Sequence, residues 1–465
     1  MPPPPPIELN WSFTTTASVT RTWQLMSDTD GFNRVANFGF MFAHTMRPDG
    51  TMESTGSTSL FGLKQVWEEH PFHFDEPNGF SVRRDFPAGP GAYYQVQVRF
   101  SEVSGGTRID YSVAIYPRSA LVRPIVALHA QTSVKPKLNR VLARCQRFLD
   151  GELSEFELAP PPLHKDAMSR LDAGIEAVSS DAIAKKIHRL VLLSPLSKQA
   201  RLHPLRLARR WKMPANEVVQ ACLEAVEGGA LAMRWELVCP SCKAPKNSME
   251  KLDLERGQVH CESCNIRYDG AIGDSIAVTF RPDPQVRHID LPIACMGSPG
   301  RTRHVVAQTE IEPNGNRTWE VPLLEGSYRI RAHPGRETAS LQVRKDLHRR
   351  QLTVVVRGDV LQPPLLRSAP GQVGIELVSH QAHTVRITIE RTAQDRDLLT
   401  AGRMLEVPAA RRLVAQSMVS KSLGMEATRG AVIAVELLRG QTVARKQVSE
   451  ELARHQPITV SEGNG

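Results

Sequence analysis

No stretch of this 465-residue chain approaches the ~18–20 uninterrupted apolar residues that a membrane-spanning helix needs. The start, Met1 followed by Pro2 to Pro6, lacks the charged and apolar regions of a secretory leader, and a cytoplasmic location is expected. There is no Gly-x-x-x-x-Gly-Lys-Ser/Thr loop, no dinucleotide fingerprint after a strand, no Gly-x-Ser-x-Gly elbow and no His-Glu-x-x-His. These absences remove the common nucleotide, hydrolase and metalloprotease sites, and no catalytic or cofactor-binding residue is predicted. His70 and His73 lie close together without a third ligand, and read as a turn leading into a strand. Adjacent carboxylates such as Glu68 and Glu69 diverge in regular structure and are expected to be solvated. Acidic residues are missing from Lys185 to Lys212, where nine Lys or Arg stand together. That stretch is either the solvated face of ordinary helices or a phosphate-contacting surface.

A chain this long exceeds one ordinary core, so two to four domains are expected. The apolar fraction of 41% suits a globular protein, and a net charge of +9 permits contact with an anionic partner without establishing it. Of seven cysteines, Cys145, Cys222 and Cys295 have no spaced partner. An odd total without a leader points to a reducing compartment, where thiolates meet metal more readily than each other.

The other four form two pairs, Cys239-Pro-Ser-Cys242 and Cys261-Glu-Ser-Cys264, separated by eighteen residues. This spacing is that of a structural zinc site. Cys239, Cys242, Cys261 and Cys264 are the predicted ligands of one zinc ion. Four thiolates leave no open coordination position, so such an ion orders a segment too small to bury a core and activates no water.

Periodicity divides the chain. After a Pro-rich tail (1–6), residues 7–151 read as one α+β domain. Ile7–Thr15 is a strand, Ser18 caps a helix with Val19, Trp23 and Met26 on one face, and a run of strands follows. Tyr94, Val96, Val98 and Phe100 alternate with polar residues. A helical stretch from about Val122 to Asp150 carries Leu138, Leu142, Cys145 and Leu149 as an apolar stripe. This order, with Val66-Trp-Glu-Glu69 and Gly105-Gly-Thr-Arg108, resembles the START-like (polyketide cyclase/dehydrase and lipid transport) superfamily. The resemblance implies a helix-grip fold and an interior that either binds a hydrophobic small molecule or is filled by large side chains.

A proline-rich linker (152–163) leads to a helical region (164–236). Leu205–Trp211, the turn at Met213-Pro-Ala215, Asn216–Glu227 and the strand Leu231–Leu237 trace a winged-helix outline. Its second helix carries Glu217, Glu224 and Glu227 and no Lys or Arg, which disfavours insertion into a DNA groove. Zinc-ribbon residues 237–283 extend the wing. Residues 284–395 hold about seven short strands at the spacing of a β-sandwich. In 396–465 a helix over Asp397–Val419 and a strand-like run at Gly430–Leu438 precede a polar tail expected to be disordered. The expected fold class is therefore multidomain α+β: a helix-grip domain, a winged helix with a zinc ribbon, and an all-β sandwich.

Residues from about 164 to 420 are similar to an uncharacterised bacterial module that precedes class III adenylate/guanylate cyclase domains. Arg234-Trp-Glu-Leu-Val-Cys-Pro-Ser-Cys242, Val259-His-Cys-Glu-Ser-Cys264, Val278-Thr-Phe-Arg-Pro282 and Ile389-Glu-Arg-Thr392 carry the similarity. It implies a cyclase domain after the last helix, but the residues beyond Glu436 have room only for a short remnant. The expectation is a non-enzymatic signalling or scaffold protein with a protein partner, and with a possible hydrophobic ligand in the START-like domain. Two alternatives stay open: a nucleic-acid-binding regulator using the winged helix and zinc ribbon, and an enzyme of aromatase/cyclase type acting in the START-like cavity.

Overall fold

The computed structural model describes residues 4–46, 52–60, 63–239, 245–249, 258–261, 266–269, 276–291, 297–333, 335, 338–358, 360–392, 397–404, 407 and 410. They fall into two compact units that do not follow sequence order. One comprises 1–158, 262–266 and 291–394; the other comprises 159–261, 267–290 and 395–465.

The first unit opens with β1 (Ile7–Thr15), α1 (Val19–Met26) and α2 (Thr29–Ala36). Ser18 caps α1 by accepting from the Arg21 amide, and Asp28 caps α2 through the Gly31 amide. The strands β2 (Met41–Met46), β3 (Met52–Leu60), β4 (Leu63–Glu69), β5 (His73–Asp75), β6 (Gly79–Asp85), β7 (Gly91–Val103) and β8 (Gly106–Pro117) follow. The helical stretch is α3 (Arg123–His129), a π turn over Ala130–Val134, and α4 (Lys135–Leu149). Leu138, Leu142, Cys145 and Leu149 are buried, as the stripe predicts. Pairing runs β1-β8-β7-β6, and β6 divides its far edge between β5 and β4. Where β3 crosses β4, Gly56 faces Trp67, and a Cβ there would sit 2.1 Å from the indole. Only glycine lets that ring, 1% exposed, lie against the neighbouring strand.

The sandwich follows in the same unit. Its strands, numbered in chain order after those of the second unit, are β14 (Val305–Ile311), β15 (Asn316–Leu323), β16 (Gly326–His333), β17 (Thr338–Val343), β18 (Gln351–Arg357), β19 (Val360–Gln362), β20 (Leu365–Ser368), β21 (Gly371–Ser379) and β22 (Val385–Arg391). Two sheets, β14-β22-β16-β17-β20 and β15-β21-β18-β19, enclose a core that includes Val321, Leu341, Val354, Ile375 and Ile387. The first of these is not a separate sheet. β14 pairs antiparallel with β5, Ala307 opposite Asp75 and Gln308 opposite Phe74, so one 13-stranded sheet runs from the N-terminal strands into the sandwich.

The second unit contains α5 (Lys165–Glu176), α6 (Asp181–Leu193), α7 (Leu196–Gln199), α8 (Pro204–Trp211) and α9 (Ala215–Glu227). β9 (Leu231–Val238), β10 (Pro245–Met249), β11 (Gln258–Cys261), β12 (Ile266–Asp269), β13 (Ile276–Pro282) and α10 (Ala401–Met404) complete it. β9 lies between β10 and β13, while β11 pairs with β12. Leu202, between α7 and α8, bridges to Phe280 of β13. Ser180 stands at the N-cap of α6 without a side-chain cap bond. The helix expected over Asp397–Val419 starts later than expected: Asp397 to Thr400 are not helical, Thr400 bridging to Ala277 of β13, and α10 begins at Ala401. Most of the remainder, and all of the strand-like run and tail, lie outside the described residues.

Candidate functional site

β6 reads Gly79-Phe-Ser-Val-Arg-Arg-Asp85; beside Gly79, its buried side chains are Phe80, Val82 and Arg84. The period-2 alternation that turns two apolar side chains inward therefore carries an arginine with them. In β4 the same alternation turns Trp67 and Glu69 inward while Val66 and Glu68 face out. Glu69, expected in solvent, is 7% exposed; the correction follows from its place in the series Trp67-x-Glu69. Arg84 Nε donates to Glu69 Oε2 at 2.6 Å, and its Nη1 donates to the Tyr94 hydroxyl at 2.5 Å. The guanidinium also lies over the rings of Phe40, Trp67 and Tyr94, 5.3–5.7 Å from their centres.

Arg84 also borders a small cavity between the sheet and the α1–α2 corner. Met26, Thr29, Phe32 and Asn33 form one wall, and Phe72, Phe80, Val82, Arg84, Val96 and Tyr111 form the other. Its volume is about 30 Å³, room for about one water; pockets for drug-sized ligands hold ~300–1,000 Å³. Asn33 Nδ2 is buried without a hydrogen-bond partner. Tyr111, 7% exposed, stacks on Phe32 at 5.7 Å. Burial pushes the phenols of Tyr111 and Tyr94 above their usual range, so both remain protonated and act as hydrogen-bond groups rather than bases. Burial likewise pushes the Cys145 thiol up, as suits a core residue.

The α1–α2 corner is gripped from outside by residues 298–301, just ahead of β14. Thr29 Oγ1 donates to Ser298 Oγ at 2.9 Å, which donates on to the Ser27 carbonyl at 3.0 Å. The Gly300 amide reaches the same carbonyl at 2.9 Å, and Arg301 Nη1 lies 3.3 Å from Asp30 Oδ2. A Cβ on Gly300 would stand 2.7 Å from that carbonyl oxygen, so the clasp fits only with glycine there. Below it, the Glu76 amide donates to the Val306 carbonyl at 2.8 Å, Gln308 Nε2 to the Phe72 carbonyl at 2.7 Å, and Glu76 pairs with Arg391 at 3.1 Å.

Of the predicted zinc ligands, Cys239 is buried at the end of β9, and Cys261 is the last residue of β11. Each Cys-x-x-Cys thus begins where the first strand of a paired couple stops. Cys242 and Cys264 lie outside the described residues, and among those described no cluster of three His, Cys, Asp or Glu could hold a metal.

The basic stretch is partly consumed internally. Arg201 bonds Glu236 at 2.7 Å, and Arg206 and Arg209 both pair with Asp397. In α9, Val218, Val219, Ala221, Cys222, Leu223 and Ala225 are all buried, and Glu224 accepts from the Ser179 amide at 2.8 Å. Little of that helix remains to read a groove.

A family described only as a family of unknown function (DUF5939) matches residues 165–292. No curated protein matches. Among solved structures, the ZhuI aromatase/cyclase from Streptomyces sp. R1128 shares 13% identity, covering 32% of this chain and 98% of its own, with a TM-score of 0.26. A Thermus thermophilus protein shares 22% identity over 30% of this chain and 98% of its own, with a TM-score of 0.23. The di-domain aromatase/cyclase StfQ of steffimycin biosynthesis shares 10% over 32% of this chain and 51% of its own, with a TM-score of 0.24. At such scores the likeness says nothing of ligand or activity.

Proposed function

We propose that the chain is a non-enzymatic regulatory or scaffold protein in which the helix-grip interior senses an apolar molecule and the 298–301 clasp passes the response to the sandwich. The observation that carries this reading is that the clasped residue Thr29 is also a wall of the cavity. A ligand larger than ~30 Å³ must push the α1–α2 corner outward. That movement loads the clasp, and the clasp leads within four residues into β14. Tyr111 and Asn33 would serve an oxygen function of the ligand. Arg84, already neutralised by Glu69, makes a neutral ligand fit better than a carboxylate, whose buried charge would lack a counter-ion.

An aromatase/cyclase-type enzyme is the second reading, favoured by the presence of Arg84 and Tyr111 at one cavity, with Tyr94 bonded to Arg84 behind it. Raised phenol pKa values and a carboxylate tied to Arg84 suit binding better than proton transfer. The second unit supports a winged helix, with the Leu202–Phe280 bridge in the place of its short first strand. Its zinc-ribbon extension would be held by one structural zinc on Cys239, Cys242, Cys261 and Cys264. The same unit would meet a protein partner; the internal pairing of Arg201, Arg206 and Arg209 weakens the nucleic-acid reading.

Native mass spectrometry of the purified chain tests the sensor. A co-purified apolar molecule, lost in Tyr111→Phe, and greater amide exchange in 26–33 after Ser298→Ala are the expected results. An empty protein whose melting temperature no apolar compound shifts would leave the grip as a packed scaffold.

A further inference from the structure

The helix that closes the N-terminal sheet carries an apolar stripe exposed to solvent. Leu121 is 90% exposed, Ile125 59% and Leu128 65%. Ile125 and Leu128, three residues apart, share a face of α3, and Leu121 stands in the turn just before it, while Val126 turns into the core. The chain on either side of the stripe carries charge of one sign. From Tyr111 to Leu149 the sequence holds seven Lys or Arg and no Asp or Glu. Arg118 donates to the carbonyls of Phe86, Gly89 and Gly91, and Arg123 to that of Pro5. Carbonyl partners orient these guanidinium groups without neutralising them. Lys135, two turns beyond Leu128, is exposed.

We propose that this face docks on an anionic bilayer surface, with Leu121, Ile125 and Leu128 entering the boundary between headgroups and acyl chains. Arg118, Arg123 and Lys135 would then face lipid phosphates. A short apolar face beside basic residues binds membranes by apolar insertion plus attraction to anionic lipid. A second copy of the chain would bring like charges together, which is unfavourable across an interface. A protein partner fits less well, because a stable interface needs ~800 Å² per side and three side chains on two turns supply far less. This proposal does not depend on the ligand reading.

Co-sedimentation of the full chain with vesicles tests it. Binding is expected to vesicles of equal parts phosphatidylserine and phosphatidylcholine, weakening at high salt, and not to phosphatidylcholine alone. The variant L121Q/I125Q/L128Q should bind about tenfold or more weakly with an unchanged melting temperature, and Lys135→Glu should weaken binding as well. Tryptophan at position 121 (Leu121→Trp) should shift its emission to the blue on vesicle addition. The proposal is overturned by no binding at low salt, by equal binding of the triple variant, or by a dimer that the triple variant abolishes while vesicles remain unbound.

Discussion

At the scale of the residue, the buried pair Arg84–Glu69 has the sharpest energetic consequence. Their side chains are 6% and 2% exposed, so water screens little of the attraction. Removing one partner strands the other charge, at a cost of about 3–5 kcal/mol. Arg84→Met is therefore expected to lower stability by that amount in urea titration. Adding Glu69→Leu should recover most of it, because the apolar pair again fills the space without a lone charge. Recovery of less than half would mean that Tyr94 or the surrounding rings, rather than Glu69, depend on the guanidinium.

His333 sets a pH dependence. Burial, with Arg386 and Arg331 nearby, holds its imidazole well below the usual histidine range. The folded state resists a proton that the unfolded chain accepts near pH 6.5, so stability is full above that pH and falls as pH drops below it. The limiting slope for one proton is about 1.4 kcal/mol per pH unit. Asp75 acts oppositely: burial raises its carboxyl to about 6, so the folded state gains relative stability as pH falls from about 6 towards 4. In His333→Gln the loss on acidification from neutral pH to about 6 should be reduced, and below about pH 6 the Asp75 gain should be more visible. Thermal melts of the two proteins between pH 7.5 and about 4.5 decide it; superimposable profiles would show that His333 is protonated freely in the fold.

At the scale of the element, much of the structure was legible. β1 spans the residues expected for it, α8 and α9 start one residue before the helices expected at Leu205–Trp211 and Asn216–Glu227, and nine short strands are described where about seven were expected. These segments announce themselves because one face is apolar at a fixed period. α2 was not legible, since Thr29-Asp-Gly-Phe-Asn-Arg-Val-Ala36 has weak helix formers and is held by its Asp28 cap and by tertiary contact. β19 and β20, three and four residues long, are too short to show a period. Arg84 and Glu69 were visible in principle as the third member of Phe80-x-Val82-x-Arg84 and the second of Trp67-x-Glu69, where a charge continues an apolar alternation. That signal cannot reveal which strand supplies the opposite charge, because pairing β4 with β6 is a tertiary event.

The two cysteine pairs belong to the same scale. β9 and β13 are buried along most of their length, whereas among the described residues β11 and β12 pair only with each other, and an isolated two-stranded hairpin is marginal in water. Metal ligation is the expected source of order there. The native mass should exceed the apo mass by one zinc, and Cys261→Ser should lose the ion and the amide protection of β10 to β12. Protection of α5 to α9, which rests on its own core, should persist. Zinc retained by Cys261→Ser would show that the ligand set is wrong.

At the scale of the whole molecule, the chain order and the structural order differ. Residues 1–158 share a unit with 291–394, and the segment between them folds largely elsewhere. Local periodicity cannot show this, because the joint consists of β5 against β14 and of the clasp on Ser27 and Thr29, contacts between residues more than 230 apart. The joint supplies the hydrogen bonds of Gly300, Ser298, Gln308 and Glu76 and the ion pair of Arg301 with Asp30. At about 1 kcal/mol per hydrogen bond, the N-terminal strands should lose on the order of 3–5 kcal/mol without it. A fragment of residues 1–158 is therefore expected to melt below the same region in the full chain, with fast amide exchange in α1, α2 and β5. Its β5 edge, now unpaired, is a template for another strand, so the fragment should associate in size-exclusion chromatography. Joining 1–158 to 297–394 through a flexible linker should restore both the melting temperature and the monomer. A fragment 1–158 that is monomeric and as protected as the full chain would mean that the sheet continues across the joint without stabilising it, and the clasp could then transmit nothing.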